Sequence, residues 1–309
     1  MDEPTPQTTT VSKTLPRYIQ LFTIIAKLLG YFLAVVMLCS LLGMGTSLLA
    51  PSLNPEDLQL GRINDWRSMT FLYIGMTIGA IIVTWVFRTA VDRQAFETVG
   101  FQGGNILTQV LKGGAWAIGI QSIVFLILYV TGAISAEVGA FEWINLLGFL
   151  GFFLLISIHE EVIFRGYVTS LLAQNMHFIP ALIVSSLIFA AVHIGNADFT
   201  WMGFGSIFLG GYLLGMLYLK YQNLYLPIGM HWFWNYYHGN ILGFDVSGLD
   251  VPAVLSLQMN GADWWTGGEF GIEGSLLTVI LLGIVSIFTT YKWSTELASY
   301  PNLSVLENE

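Results

Sequence analysis

A succession of long apolar runs is the feature that most limits what this chain can become. About eight such stretches, set against the ~20 residues of a membrane span, lie at 21–50, 70–87, 113–134, 142–173, 179–194, 203–221, 224–241 and 274–291. In lipid the backbone N–H and C=O groups of a run this long must be satisfied within the segment, which a helix does. Composition agrees. Hydrophobic residues make up 55% of the 309 and charged residues 10%, where a soluble domain carries roughly 25% charged residues. The expected fold is all-α, a polytopic membrane helix bundle of about eight transmembrane helices with the lipid bilayer as its partner.

Several classes are disfavoured at this stage. The net charge is −9 and the 11 basic residues are scattered, so no nucleic acid partner is expected. The lone cysteine, Cys39, sits in an apolar run and reads as a small core hydrophobe. No cleavable signal peptide is expected, because the first run is too long and lacks a small-residue cleavage site. No internal repeat is visible, which disfavours a transporter built on inverted repeats. Lys13, Arg17, Arg88, Arg93, Lys112, Arg165, Lys220 and Lys292 fall on or near one side of an eight-span topology, and Arg62 and Arg67 on the other. Both termini of this multi-pass cell-membrane protein are therefore expected in the cytoplasm. Lys27, near the start of the first run, is expected to snorkel to the headgroups.

One run breaks the apolar rule. His159-Glu160-Glu161-Val162-Ile163-Phe164-Arg165-Gly166 follows the stretch 146–158. A charged group at membrane depth costs about 2.5–3.5 kcal/mol on insertion scales. Glu161 and Arg165 are i and i+4, so they face each other and are expected to form a bidentate structural brace. Glu160 is rotated by about 100° and is left over for chemistry. His193 closes the next run, and His231 and Asn235 share one helix face further on. Counted outward from the 174–178 turn, Glu160 and His193 should reach similar depth on antiparallel helices and share a water.

A glutamate, two histidines and an asparagine in a wet pocket suit hydrolysis. Glu160 and His193 can activate water, and His231 and Asn235 can donate to an oxyanion. Glu160, His193 and His231 are also candidate ligands for a divalent metal such as zinc, though the spacing is not His-Glu-x-x-His. The bland alternatives are a buried polar network that glues helices and a proton or ion path. His159 is expected at the pocket's edge, His177 in the turn, and His238, one turn past Asn235, behind the pocket. Gly211 and Gly215 are expected to serve close helix packing.

Three stretches together resemble a known family. Glu160-Glu161 to Arg165 is similar to the E-E-x-x-x-R motif of the CAAX-protease and bacteriocin-processing (CPBP) intramembrane proteases. Phe189 to His193 is similar to their F-x-x-x-H motif, and His231 to Asn235 to their H-x-x-x-N motif. The resemblance covers roughly residues 148–240. It implies an eight-helix intramembrane endopeptidase acting on a hydrophobic, prenylated (CAAX-like) or leader-peptide substrate. By motif match, Glu160, His193, His231 and Asn235 are catalytic, and Glu161 and Arg165 support the site. The family has been read both as metalloproteases and as metal-free glutamate proteases, and the motifs are compatible with either. A non-catalytic bacteriocin-immunity or scaffold protein that binds a peptide is the alternative. The chain then divides into a disordered tail (1–16), N-terminal helices with an amphipathic connector (17–140), a catalytic core (141–242), an acidic extracytoplasmic loop (243–273), and a last helix with its tail (274–309).

Overall fold

The computed structural model describes residues 16–50 and 66–298. The expected N-terminal tail (apart from Pro16), almost all of the acidic loop between the first two runs, and the C-terminal tail lie outside the described residues. Six helices are long and apolar enough to cross a membrane. They are α1 (Arg17–Ser47), α2 (Trp66–Val91), α3 (Ile106–Val130), α4 (Trp143–Ala173), α6 (Trp201–Tyr221) and α8 (Leu276–Ala298). Between them lie the shorter apolar α5 (Phe178–Ala191) and the 12-residue α7 (Tyr225–Tyr236), the latter prolonged by a π-helical turn over Tyr237–Ile241. The chain is a multi-pass integral membrane bundle, and each apolar run has its helix.

Small residues set the helix crossings. A Cβ on Gly113 of α3 would run into the backbone of Leu226 and Met230, and one on Gly229 of α7 into the backbone of Val110. These two helices therefore touch backbone to backbone, two residues before His231. Gln121 of α3 fastens the same pair, donating from Nε2 to Trp234 O (2.9 Å) and to His238 Nδ1 (2.8 Å). Gly211 and Gly215 of α6 let Phe189 and Leu182 of α5 approach, the packing role their spacing suggested. The first half of α4 buries Phe149, Phe152 and Phe153 against Met69 of α2 and against Val246 and Val251 of the loop after α7.

Several local expectations are corrected. Residues 106–111 are the first turns of α3, capped by Asn105 Oδ1 accepting from Thr108 N, rather than a separate surface segment. Lys27 does not snorkel: its Nζ pairs with Asp92 Oδ1 at 2.6 Å. Arg88 is fully buried. It donates to Gly166 O at 3.0 Å and to Ser170 Oγ, and so tethers α2 to α4.

The stretch after α7 is not a plain loop. Strand β1 (Ile134–Val138), directly after α3, pairs antiparallel with β2 (Leu255–Met259), with Ala136 opposite Leu257. Phe244 and Ile272 are buried in a small cluster with Leu128 and Ile134. Trp265 packs on that cluster while Trp264 is exposed. Asp245 lies in this segment beside Asp250, Glu269 and Asp198, and burial together with those carboxylates pushes its carboxyl up to about 7 from an ordinary 3.8. A raised carboxyl favours the folded state below its ordinary value and loses that contribution as pH rises through the folded value. The segment should therefore hold less tightly at pH 8 than at pH 5. Hydrogen exchange of residues 244–273 should show that slope in the wild type and a flatter one in Asp245→Asn; equal slopes would remove Asp245 as the cause.

Candidate active site

A cavity of about 740 Å³ opens between α1, α2, α4, α5, α6, α7 and the segment after α7. Glu160, His193, His231 and Asn235 all line it, and His159 lines it too, its ring edge-to-face with Tyr73 at 5.9 Å. The four side chains singled out by residue type and spacing thus line one cavity. His177 caps the start of α5, accepting from Ile179 N. His238 is fully buried on Gln121 and does not line the cavity.

The route from sequence to this meeting runs through α4. Its α-helical hydrogen bonding gives way to a π-helical stretch over Val162–Thr169, immediately after Glu161. Such turns are rare and are frequent at functional sites. The Gly166 carbonyl within it accepts from the buried Arg88. Glu161 and Arg165, 0% and 1% exposed, are paired at 2.8 Å. The pair is not bidentate. Arg165 Nη1 donates to Glu161 Oε1, Nη2 donates to Gly211 O at 3.1 Å, and the guanidinium stacks on Phe189 with Cζ 4.3 Å from the ring centre. The guanidinium therefore joins α4, α5 and α6.

Glu161 Oε1 takes a second hydrogen bond, from His231 Nδ1 at 2.8 Å. Accepting there, the carboxylate holds the proton on Nδ1 and turns Nε2 into the cavity. His193 lies in the turn just past the end of α5, and its Nδ1 donates to Phe189 O at 2.8 Å. A carbonyl cannot donate, so His193 also carries its proton on Nδ1 and leaves the Nε2 lone pair free. Both Nε2 atoms face Glu160 Oε2, His193 at 3.9 Å and His231 at 3.8 Å. That oxygen is buried and accepts no hydrogen bond from the protein. Phe189 packs edge-on to both imidazoles, with ring centres 4.9 Å from His193 and 6.1 Å from His231. Among the described residues no group of three His, Cys, Asp or Glu side chains is arranged to hold a metal ion. The candidate ligands Glu160, His193 and His231 converge without forming such a group.

Sequence reasoning missed a second polar group on the wall. Glu273, Ser247 and Asn196 also line the cavity. Trp234 Nε1 donates to Glu273 Oε1 at 2.8 Å, Ser247 Oγ donates to Oε2, and Asn196 Nδ2 donates to Ser247 O at 3.1 Å. Only the position of Glu273 directly before the last run, between Gly271 and Gly274, hinted at burial. Part of the wall is apolar, formed by Phe32, Val35 and Val36 of α1 and Met69 and Met76 of α2.

The bundle thus keeps carboxylates and imidazoles, groups able to activate water, around an internal cavity. Residues 141–237 match the family model of type II CAAX prenyl endopeptidase Rce1-like proteins. Over this segment, about a third of its length, the chain is similar to the CAAX-type intramembrane proteases, a family of membrane-embedded peptidases. No curated protein and no solved structure matches the chain.

Proposed function

We propose that this protein is an endopeptidase that cuts a hydrophobic or lipidated, CAAX-like peptide inside the membrane, with water activated by Glu160 and His193. The observation that carries the reading is the unpartnered Glu160 Oε2, with two imidazole Nε2 atoms 3.8 and 3.9 Å away. That separation is too long for direct hydrogen bonds, so the carboxylate oxygen and both ring nitrogens stay available to a water that enters with the substrate. Glu160 takes a proton as the water oxygen attacks the peptide carbonyl carbon. The oxyanion accepts from Asn235 Nδ2 and from His231 Nε2, which donates when the ring is doubly protonated with Glu161 as counter-charge. When the C–N bond breaks, the proton passes to the leaving amine, with His193 as its carrier. The apolar wall from α1 and α2 is suited to a lipid or hydrophobic segment of the substrate. Both termini are placed in the cytoplasm on the charge distribution given above.

The test is cleavage of farnesylated and unmodified apolar peptides by the purified protein in lipid, with product masses read out. A defined cut is expected, reduced about 10²-fold or more in His193→Ala. Binding without cleavage across the peptide set would favour the immunity or scaffold reading instead. A chelator arm compares the same rate with and without metal removal. Unchanged activity supports water activation by Glu160 and His193, and loss restorable by zinc would assign Glu160, His193 and His231 to a metal.

A further inference from the structure

The charge of the cavity wall is one-sided. Two carboxylates, Glu160 and Glu273, line it, and among the described residues no Lys or Arg does. Arg165 stands behind the wall with its donors directed to Glu161 and Gly211. Glu273 is 6% exposed, and its side chain accepts hydrogen bonds from the neutral donors Trp234 and Ser247. Its backbone is fixed as well, since Ser206 Oγ donates to Glu273 O. A carboxylate offers about four acceptor positions, of which these contacts use two. A buried charge held by neutral dipoles and facing a cavity is costly unless a partner compensates it.

Resting on the endopeptidase reading above, we infer that Glu273 forms a specificity subsite that takes a basic side chain of the peptide substrate and disfavours an acidic one. Its position sets the reach. Trp234 is next to Asn235 and three residues from His231, about 4.5 Å along the helix. An extended peptide advances about 3.3 Å per residue. The long Trp234 and substrate side chains add reach of their own, so the scan covers the two residues on each side of the scissile bond. An ammonium or guanidinium there meets the carboxylate at low dielectric, where the attraction exceeds its value in water. An acidic side chain there meets the like charge of Glu273 and no Lys or Arg among the described lining residues. The contact with Trp234 also makes Glu273 part of the frame of α7, so structure and selectivity must be separated in the test.

The experiment scans Lys, Gln and Glu through the two positions on each side of the cut in one apolar peptide, using the full-length protein in lipid. At one position the wild type should show kcat/KM about tenfold or more higher for Lys than for Glu, with Gln between. Glu273→Gln keeps the shape and should bring that ratio close to one. A merely structural role would slow all three peptides alike and leave the ratio intact, which overturns the inference. So does a wild-type ratio near one at every position, a readout that stands even where Glu273→Gln fails to fold. A second arm measures binding of the fluorescent peptides to Glu160→Gln, where nothing is cut. Cleavage without charge preference sinks the subsite alone. Charge-selective binding without wild-type cleavage sinks the endopeptidase reading and leaves the subsite standing.

Discussion

Glu160→Gln is expected to lower kcat by about 10³-fold or more while leaving peptide affinity within a few-fold of wild type, an effect at the upper end of general base catalysis. The substitution is close to isosteric, so the π-turn after Glu161 and the brace should survive it. What it removes is a buried carboxylate whose Oε2 accepts nothing from the protein and lies within 4 Å of both imidazoles. The neutral amide can still touch a water but cannot take its proton. His193 is not a full substitute. Its Nε2 lone pair is available, but it stands 3.9 Å from Glu160 Oε2 and is needed afterwards at the leaving amine. Single-turnover cleavage and equilibrium binding of the same peptide separate the two quantities. Full activity in Glu160→Gln would shift the base to His193 and undo the role assigned here.

The fold was largely legible because a membrane narrows the choices. Every apolar run became a helix, but among the described residues six of the expected eight are long and apolar enough to cross a membrane, α5 and α7 being shorter. The convergence of the polar groups was legible for a related reason. Glu160 and His193 flank one hairpin, and helical spacing places His231 above Asn235. What was not legible depends on side chains that only tertiary structure brings together. The π-turn at Val162–Thr169 has no signature in a glutamate-rich motif; its support, Arg88, lies on another helix and looked like a cytoplasmic basic residue. Lys27 found Asp92 across α1 and α2. Strands β1 and β2 are five residues each and pair across a long separation, so their alternation was lost beside much longer apolar runs. Glu273 was one acidic residue among several in a polar stretch until Trp234 and Ser247 placed it in the cavity.

Arg165→Met should be the most destabilising change near the site, by about 3–5 kcal/mol, because breaking a buried ion pair leaves its partner charge uncompensated. The loss goes beyond one contact. Arg165 holds Glu161 of α4, the Gly211 carbonyl of α6 and the face of Phe189 of α5, and Glu161 in turn fixes His231 Nδ1. Lysine supplies charge without the planar fork that reaches two acceptors and stacks on a ring, so Arg165→Lys should recover only part of the stability. Glu161→Gln combined with Arg165→Met removes both charges and should be more stable than Arg165→Met alone, since the orphaned carboxylate is gone. The double variant should still be inactive, because His231 no longer has a carboxylate to hold its proton on Nδ1. Thermal unfolding in detergent reads the first comparison and peptide cleavage the second. An Arg165→Met protein that melts with the wild type would show that α4, α5 and α6 are held by packing alone, and the double variant would then have nothing to restore.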